Sequence, residues 1–257
     1  MWRKLRIAVL LLILLFVALN TYFDRIYSTD WDNTLRVALF PINADGSAAA
    51  AGYVQKLATT DFQSLETFFA AEAEHYGVAL KPPIRVTLAP EIRELPPLIA
   101  GRAGRLSIMW WSLRTRYWAW SVPQNPSGAS PDVKLFLLYH DPQRSPSLPH
   151  STGIQKGLFG IVHVFADRRA TGSNETVIAH ELLHTLGATD KYSFANNQPL
   201  YPQGFAEPDR EPLYPQAFAE LMAGRIPITA DDAEMPESLD QVIVGPATAT
   251  QIGWVKR

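Results

Sequence analysis

Cysteine is absent from this sequence of 257 residues, which excludes disulfide bonds and thiolate ligands from any structure that the chain forms. A surplus of either charge is also missing, because 23 basic residues stand against 25 acidic ones and the net charge is −2. The chain therefore has no general electrostatic attraction for nucleic acid, and we expect no nucleic-acid partner. Histidine is scarce, with six residues, whereas proline is abundant, with 20.

The N-terminus carries the longest apolar run of the sequence. Basic residues at positions 3, 4 and 6 precede an uninterrupted apolar stretch at 7–19, and aromatic residues flank it on both sides. Such a pattern predicts a signal-anchor helix over residues 1–27, with its N-terminus in the cytoplasm and the remaining chain across the cell membrane. This remainder would be periplasmic in a Gram-negative cell. A cleaved signal peptide, which would make the protein secreted, is the alternative.

Residues 28–257 contain no repeat, charge run or flexible linker, so we expect a single extracytoplasmic domain. Apolar patterns predict strands at 34–42, 83–90, 132–141 and 160–167. Helical spacing of apolar residues predicts a long helix at 48–77, a second helix at 173–187 and a closing helix at 245–254. Interleaved strands and helices indicate an α+β or α/β fold with one mixed sheet.

Two of the six histidines lie four residues apart on the helix predicted at 173–187. One helical turn separates them, so the imidazoles of His180 and His184 project from the same face. Two neutral imidazoles at this spacing can bind one zinc ion. Glu181 stands beside His180 and is suited to act as a general base on a zinc-bound water.

A third protein ligand is required for catalytic zinc, and Asp190 is the first candidate. Gly187 can end the helix in a left-handed conformation, so that the chain turns sharply and returns Asp190 to the metal. Downstream carboxylates remain alternatives to Asp190, namely Glu207, Glu211 and Glu220. The competing interpretation of the whole motif is a surface helix with incidental histidines.

The full pattern is His180-Glu181-x-x-His184-x-x-Gly187-x-x-Asp190. It resembles the extended zinc motif of the metzincin metallopeptidases. An aspartate at the final position of the motif resembles the form found in the small snapalysin-type bacterial proteases. The resemblance implies an α+β fold with a mixed, mostly parallel twisted sheet, an antiparallel edge strand and a long helix beside the zinc-site helix. It also implies an irregular C-terminal subdomain with a methionine turn and a closing helix.

Several further residues take roles only through this resemblance. Met222 in "AELMAGRIP" would form the methionine turn beneath the metal. The segment 158–167 would be the antiparallel edge strand against which a substrate lies extended. His163 in that segment and Tyr192 after the motif would line the substrate cleft. No tyrosine follows Met222 closely, so the residue that stabilises the oxyanion is left open among Tyr192, Tyr201 and Tyr214.

The segment "IMWWSLRTRYWAW" at 108–120 concentrates four of the seven tryptophans. We interpret it as a hairpin whose aromatic side chains pack on the core, with Trp118 and Trp120 on one face of a strand. A membrane-facing or substrate-binding patch is the functional alternative.

Together these patterns predict a zinc-dependent endopeptidase that hydrolyses peptide bonds outside the cytoplasm. Its partners would be a peptide or protein substrate and, through the N-terminal helix, the membrane; the oligomeric state is open. Two alternatives remain: a non-catalytic zinc-containing module that binds peptides or proteins, and a zinc amidase that acts on cell-wall material. Glu181 favours an enzyme, because a structural zinc site needs no base.

Overall fold

The computed structural model describes residues 29–98, 104–122 and 130–256, with isolated positions at 2, 6, 7, 10–12 and 15. Across these residues, no helix combines the length and the apolar character that crossing a membrane requires. This finding corrects the predicted signal-anchor helix, the membrane attachment through it and the cell-membrane location, since a crossing helix needs about 20 consecutive apolar residues. Most of the N-terminal run on which those predictions were based lies outside the described residues.

A five-stranded sheet forms the centre of the molecule. Its strands are β1 (Leu35–Asn43), β2 (Ile84–Leu88), β3 (Val133–His140), β4 (Thr152–Ile154) and β5 (Phe159–Phe165), in the order β2-β1-β3-β5-β4. β1, β2, β3 and β5 run parallel, and β4 runs antiparallel to β5. The prediction of a mixed, mostly parallel sheet in an α+β fold is thus confirmed. Nearly every residue of β1 and β3 is buried, as expected for parallel strands covered on both faces.

The helices cover both faces of this sheet. They are α1 (Ala48–Val54), α2 (Gln63–His75), α3 (Arg105–Ser121), α4 (Thr171–Thr185) and α5 (Pro246–Gln251). α1, α2, α4 and α5 contribute to one apolar core on one face, and α3 packs alone against the other. The single long helix predicted at 48–77 is interrupted by a 3₁₀ turn at Thr59–Phe62. There the Asp61 carboxylate accepts a hydrogen bond from the Ala58 amide at 2.9 Å, which competes with helical hydrogen bonding.

The aromatic segment 108–120 is a helix and not the predicted hairpin. Trp118 is 4% exposed and stacks on Phe136 of β3 at 4.4 Å between ring centroids, whereas Trp120 is 74% exposed. The two tryptophans therefore do not share a face. Thr115, Trp118, Ala119 and Val122 form the buried side, and their i, i+3, i+4, i+7 spacing is that of an amphipathic helix.

The predicted edge strand at 158–167 also requires a correction. β5 is an inner strand that runs parallel to β3, and the antiparallel edge strand is β4. The chain reaches this arrangement through a tight turn in which Gly157 and Leu158 have φ angles of 116° and 48°. β4 has only three residues, which is too short for a periodic pattern of apolar residues to predict a strand.

Short paired strands and loops follow α4. β6 (Ala219–Glu220) pairs with β9 (Val242–Ile243), and β7 (Ile226–Pro227) pairs with β8 (Ala233–Glu234). 3₁₀ turns precede α4 at Arg168–Ala170 and β9 at Leu239–Gln241. The turn between β6 and β7 carries Met222, which is completely buried in the larger core.

Candidate metal centre

Helix α4 is fixed to the sheet by its first turn and by its apolar side. The Asn174 side chain accepts a hydrogen bond from the Phe165 amide at 3.0 Å and donates one to the Phe165 carbonyl at 2.8 Å. Ile178 and Leu182, one turn apart, are buried in the larger core. His180 and His184 therefore face away from the sheet, next to the loop that follows the helix.

Backbone carbonyl groups set the orientation of both imidazole rings. His180 Nδ1 lies 2.9 Å from the Leu221 carbonyl oxygen, and His184 Nδ1 lies 2.9 Å from the Ala188 carbonyl oxygen. A carbonyl oxygen can only accept a hydrogen bond, so each Nδ1 carries the proton. In a neutral ring, the Nε2 atom is then left with a free lone pair.

Both free Nε2 atoms point at one oxygen of Asp190. The Asp190 Oδ1 atom lies 3.2 Å from His180 Nε2 and 3.0 Å from His184 Nε2. This oxygen is buried and has no hydrogen-bond donor among the described residues. Three acceptor atoms thus converge on one point, and such lone pairs repel each other unless a cation or a proton lies between them.

The spacing of these atoms fits a metal ion. Two ligand atoms at about 2.0–2.1 Å from a tetrahedral zinc ion are separated by about 3.3 Å, close to the two Asp190 distances. Two imidazole nitrogens and one carboxylate oxygen also form a donor set that suits zinc. The metal-binding atoms of His180, Glu181 and His184 lie within 4.8 Å of one another. Asp190 is the better third ligand, because its oxygen is at coordination-shell distance from both nitrogens.

Gly187 produces the turn that returns the chain to the histidines. Its φ angle is +101°, a left-handed conformation that glycine adopts at little cost. After this turn, the Lys191 amide donates a hydrogen bond to the Met222 carbonyl at 2.9 Å. The Met222 turn therefore holds the Asp190 segment and, through the Leu221 carbonyl, the His180 ring.

Glu181 is 5% exposed, and its Oε2 atom is buried without a hydrogen-bond partner in the described part of the chain. Burial raises the pKa of its carboxyl, and the nearby His180 and His184 offset this only in part. β4 lies directly against this part of α4, because a Cβ atom at Gly153 would be 2.5 Å from the Glu181 carbonyl oxygen and from His184 Cβ. A carboxyl whose pKa is raised toward neutrality can accept and return a proton.

The other charges of the cluster are strongly coupled. Burial favours a raised pKa for Asp190, but its contacts with His180 and His184 outweigh burial and hold the pKa of this carboxyl far below its usual range. Burial alone would lower the pKa of His180, but Asp190 and Glu181 reverse that effect and the net shift is upward. Asp190 thus stays ionised beside two imidazoles, and its negative charge favours a cation at their ring nitrogens.

The downstream carboxylates that could replace Asp190 are engaged elsewhere or exposed. The completely buried Glu220 accepts hydrogen bonds from the Ala223 amide at 3.0 Å, from the Gly245 amide at 3.2 Å and from the Thr248 hydroxyl. Glu207 accepts one from the Ala217 amide at 2.8 Å, and Glu211 is exposed. Glu220 instead stiffens the turn that carries Met222.

Of the residues predicted to line a cleft, Tyr192 is near the cluster and His163 is not. Burial and the adjacent carboxylates of Asp190 and Glu181 raise the pKa of Tyr192. His163 faces the side of the sheet that α3 covers, where its Nδ1 lies 2.9 Å from His140 Nε2. Tyr201, which is 61% exposed, and Tyr214 both contact Phe205, so Tyr192 is the one of the three candidate tyrosines that lies near Asp190 and Glu181.

Some contributors to the site have no recognisable signal in the sequence. Gly153 allows β4 to approach Glu181, and the carbonyl groups of Leu221 and Ala188 fix the two rings. Lys191 is 3% exposed and donates to the Thr189 carbonyl and to Gln251 Oε1, both at 3.0 Å. Most of these contacts join residues distant in sequence, and backbone carbonyls act irrespective of residue type.

A scan of protein-family models finds none that matches this chain, and a search of curated proteins finds no similar sequence.

Proposed function

We propose that this protein is a zinc-dependent endopeptidase of metzincin type. The convergence of His180 Nε2, His184 Nε2 and Asp190 Oδ1, at 3.0–3.2 Å between carboxylate oxygen and nitrogen, carries the proposal. Because both Nδ1 atoms are committed to carbonyl groups, the arrangement calls for a cation. When bound, zinc would supply Lewis acidity that polarises a substrate carbonyl and acidifies a water molecule.

The residues around this centre can perform the remaining steps. Glu181, with one free and buried carboxylate oxygen, takes a proton from the attacking water and returns it to the leaving amine. Tyr192 stands near Glu181 and Asp190 and can donate a hydrogen bond to the carbonyl oxygen as negative charge develops there. A purely structural metal site would use neither residue.

The edge strand supports a peptide as the substrate. β4 pairs with β5 on one side only in the described sheet, and Gly153 brings it against Glu181 and His184. An extended peptide can add to such an edge through main-chain hydrogen bonds. Its carbonyl groups would then run past the metal centre, which is the geometry that hydrolysis of an internal peptide bond requires.

Metal content and peptide cleavage, measured on the same variants, test this proposal. Asp190→Ala should weaken zinc binding by more than about 100-fold and abolish cleavage, because it removes a direct ligand. Glu181→Gln should keep stoichiometric zinc but lose cleavage by at least about 1,000-fold. Asp209→Ala, at an exposed aspartate, is the matched control and should change neither property.

The assay would use the purified protein, a mixture of peptides of varied sequence, and mass spectrometry of new termini. Zinc would be quantified by elemental analysis after dialysis. Stoichiometric zinc in Asp190→Ala would refute the ligand assignment, and equal cleavage by the parent and Glu181→Gln would refute the mechanism.

A further inference from the structure

A second candidate site lies on the opposite side of α4 from the histidines. It is a cavity of about 670 Å³ between α1 and the first turns of α4. Tyr139 near the end of β3 and Ala166 just after β5 contribute to its wall. The cavity is thus at the carboxyl ends of the parallel strands. The chain leaves β1 toward β2, while β3 lies on the other side of β1, and such a switch in strand order is where open parallel sheets bind ligands.

Two buried polar groups face this cavity without a complete set of partners. Tyr139 is 2% exposed, and its hydroxyl forms no hydrogen bond with any residue that the structure describes. Glu175 is 8% exposed, and its Oε1 atom accepts a hydrogen bond from Ser64 at 2.6 Å. Burial raises the pKa of Glu175, and Asp240 and Asp61 raise it further. None of the described basic side chains forms an ion pair with Glu175, and a cation placed beside a buried carboxyl would stabilise its ionised form.

Charged side chains of both signs line the cavity. Asp61 and Glu175 are close enough to affect each other's charge, and the Tyr53 and Tyr139 rings stand beside them, 5.2 Å apart. Lys56 and Arg168 also line the cavity, are exposed, and form no ion pair within the described parts of the chain. The two carboxyl side chains and the tyrosine rings are suited to bind an ammonium group, and the lysine and arginine side chains are suited to bind a carboxylate.

From this arrangement we propose that the cavity binds a zwitterionic ligand of the amino-acid or short-peptide class. Its ammonium group lies deep, against Glu175 and the Tyr139 hydroxyl, and its carboxylate lies at the rim, toward Lys56 and Arg168. Leu57, Phe62 and Ile178 contribute apolar wall to the same cavity, so the ligand has an apolar side chain. The volume is within the range of sites for small organic ligands and admits a dipeptide.

Calorimetric titration with leucyl-leucine tests the inference. The full-length protein would carry Glu181→Gln, so that the proposed peptidase activity cannot consume the ligand. Saturable binding at millimolar concentration or below is expected, and N-acetylation or C-amidation of the dipeptide should each weaken it at least about fivefold, since each removes one charge. Tyr139→Phe, which deletes only the hydroxyl, should weaken binding about 3- to 10-fold.

The position of the bound dipeptide separates this proposal from the peptidase. With His184→Ala added, binding should be unchanged, because the histidines lie on the other side of α4. Loss of binding in that variant with retention in Tyr139→Phe would overturn the proposal by moving the dipeptide to the metal centre. Absence of saturable binding, or equal binding of the N-acetylated and C-amidated forms, would overturn it without any variant, and neither result bears on zinc or cleavage.

Discussion

Backbone carbonyl groups hold the imidazole rings of His180 and His184. The rings of His140 and His163 instead contact each other, with 2.9 Å between His140 Nε2 and His163 Nδ1. The first pair has free nitrogen atoms that converge on a carboxylate, a geometry suited to a cation. The second pair lies on the other side of the sheet, with His140 buried and His163 half-buried, and no carboxylate of the described residues accepts a hydrogen bond from either ring. One residue type thus takes two different roles, which depend on the neighbours of its two ring nitrogens.

The second histidine pair makes the fold sensitive to acid. Burial, with a smaller effect of His140, lowers the pKa of His163 to about 4. The ordinary pKa of histidine is about 6.5. Between this pH and the lower pKa of the folded state, His163 is protonated in the unfolded chain but not in the folded chain. This contribution to stability is therefore present above pH 6.5 and is lost as the pH falls toward the folded pKa.

Replacing His163 should reduce that sensitivity. Between about pH 7 and about pH 5, the free energy of unfolding of His163→Gln should fall by about 1 kcal/mol less than that of the parent, a value reduced for partial solvent exposure. Urea denaturation at both pH values measures the difference. His150→Gln, at an exposed histidine, is the control, and an equal loss in all three proteins would contradict the prediction.

At the level of elements, the contact between β4 and α4 determines the shape of the candidate metal centre. Gly153 is its closest point, since a side chain there would overlap the Glu181 carbonyl oxygen and His184 Cβ. Neither of these atoms belongs to a flexible side-chain end, so the strand and the helix would have to separate. The contact couples the edge that can receive a peptide to the helix that carries the base.

Gly153→Ala should therefore damage both stability and activity. We expect a loss of about 1–3 kcal/mol in the free energy of unfolding, the usual cost of overpacking, and a large loss of peptide cleavage as β4 moves from Glu181. Gly52→Ala is the matched control, because a Cβ atom there meets nothing within 4 Å and alanine favours a helix by about 0.5–1 kcal/mol. Chemical denaturation would measure the loss of stability, and the cleavage assay would measure the loss of activity. A Gly153→Ala variant as stable and as active as the parent would refute the argument.

At the level of the whole molecule, the first and last segments of the described domain pack against each other. Trp31, before β1, packs on Trp254, after α5, with ring centroids 5.6 Å apart, and its Nε1 donates to the Ile252 carbonyl at 2.8 Å. The rings of Phe69 and Tyr76 also pack against Trp254, with ring centroids 6.3 and 6.0 Å from that of Trp254. The C-terminal segment is thus part of the larger core.

Truncation of Trp254 should accordingly destabilise the entire domain. Trp254 is 7% exposed, and Trp254→Ala should cost about 3–5 kcal/mol, as for other large core residues. Trp120→Ala removes the same side chain from a site that is 74% exposed and should change the free energy of unfolding by no more than about 0.5 kcal/mol. Guanidinium denaturation compares the two variants, and equal effects would show that the C-terminal segment with Trp254 does not contribute to global stability.

Local patterns in the sequence were sufficient for the parts of the fold with strong periodicity. β1, β2 and β3 match the strands predicted at 34–42, 83–90 and 132–141, and α4 matches the helix at 173–187, each within two residues. In the metal centre, the spacing of His180, Glu181 and His184 fixed one helical face, and Gly187 indicated the turn. These features depend on neighbouring residues only, which is why they can be read before the fold is known.

Long-range packing decided the rest. The segment 108–120 has residues suited to strands, yet packing of one helical side against Phe136 and its neighbours makes it a helix. β4 exists because β5 offers it an edge, and its three residues carry no pattern of their own. The signal-anchor helix predicted from the N-terminal apolar run is wrong for the part of the chain that the structure describes, where no helix is long and apolar enough to cross a membrane.

The sequence by itself therefore determined which residues could act together in one turn of helix, because helix geometry is local and fixed. Tertiary structure alone decided that both Nδ1 atoms would meet carbonyl groups and that Glu220 would be engaged elsewhere, and it brings Asp190, the candidate that the sequence indicated first, to within 3.2 Å of both rings. These outcomes depend on hydrogen bonds and packing between segments distant in the chain, whose free energy is defined only once the whole core has formed.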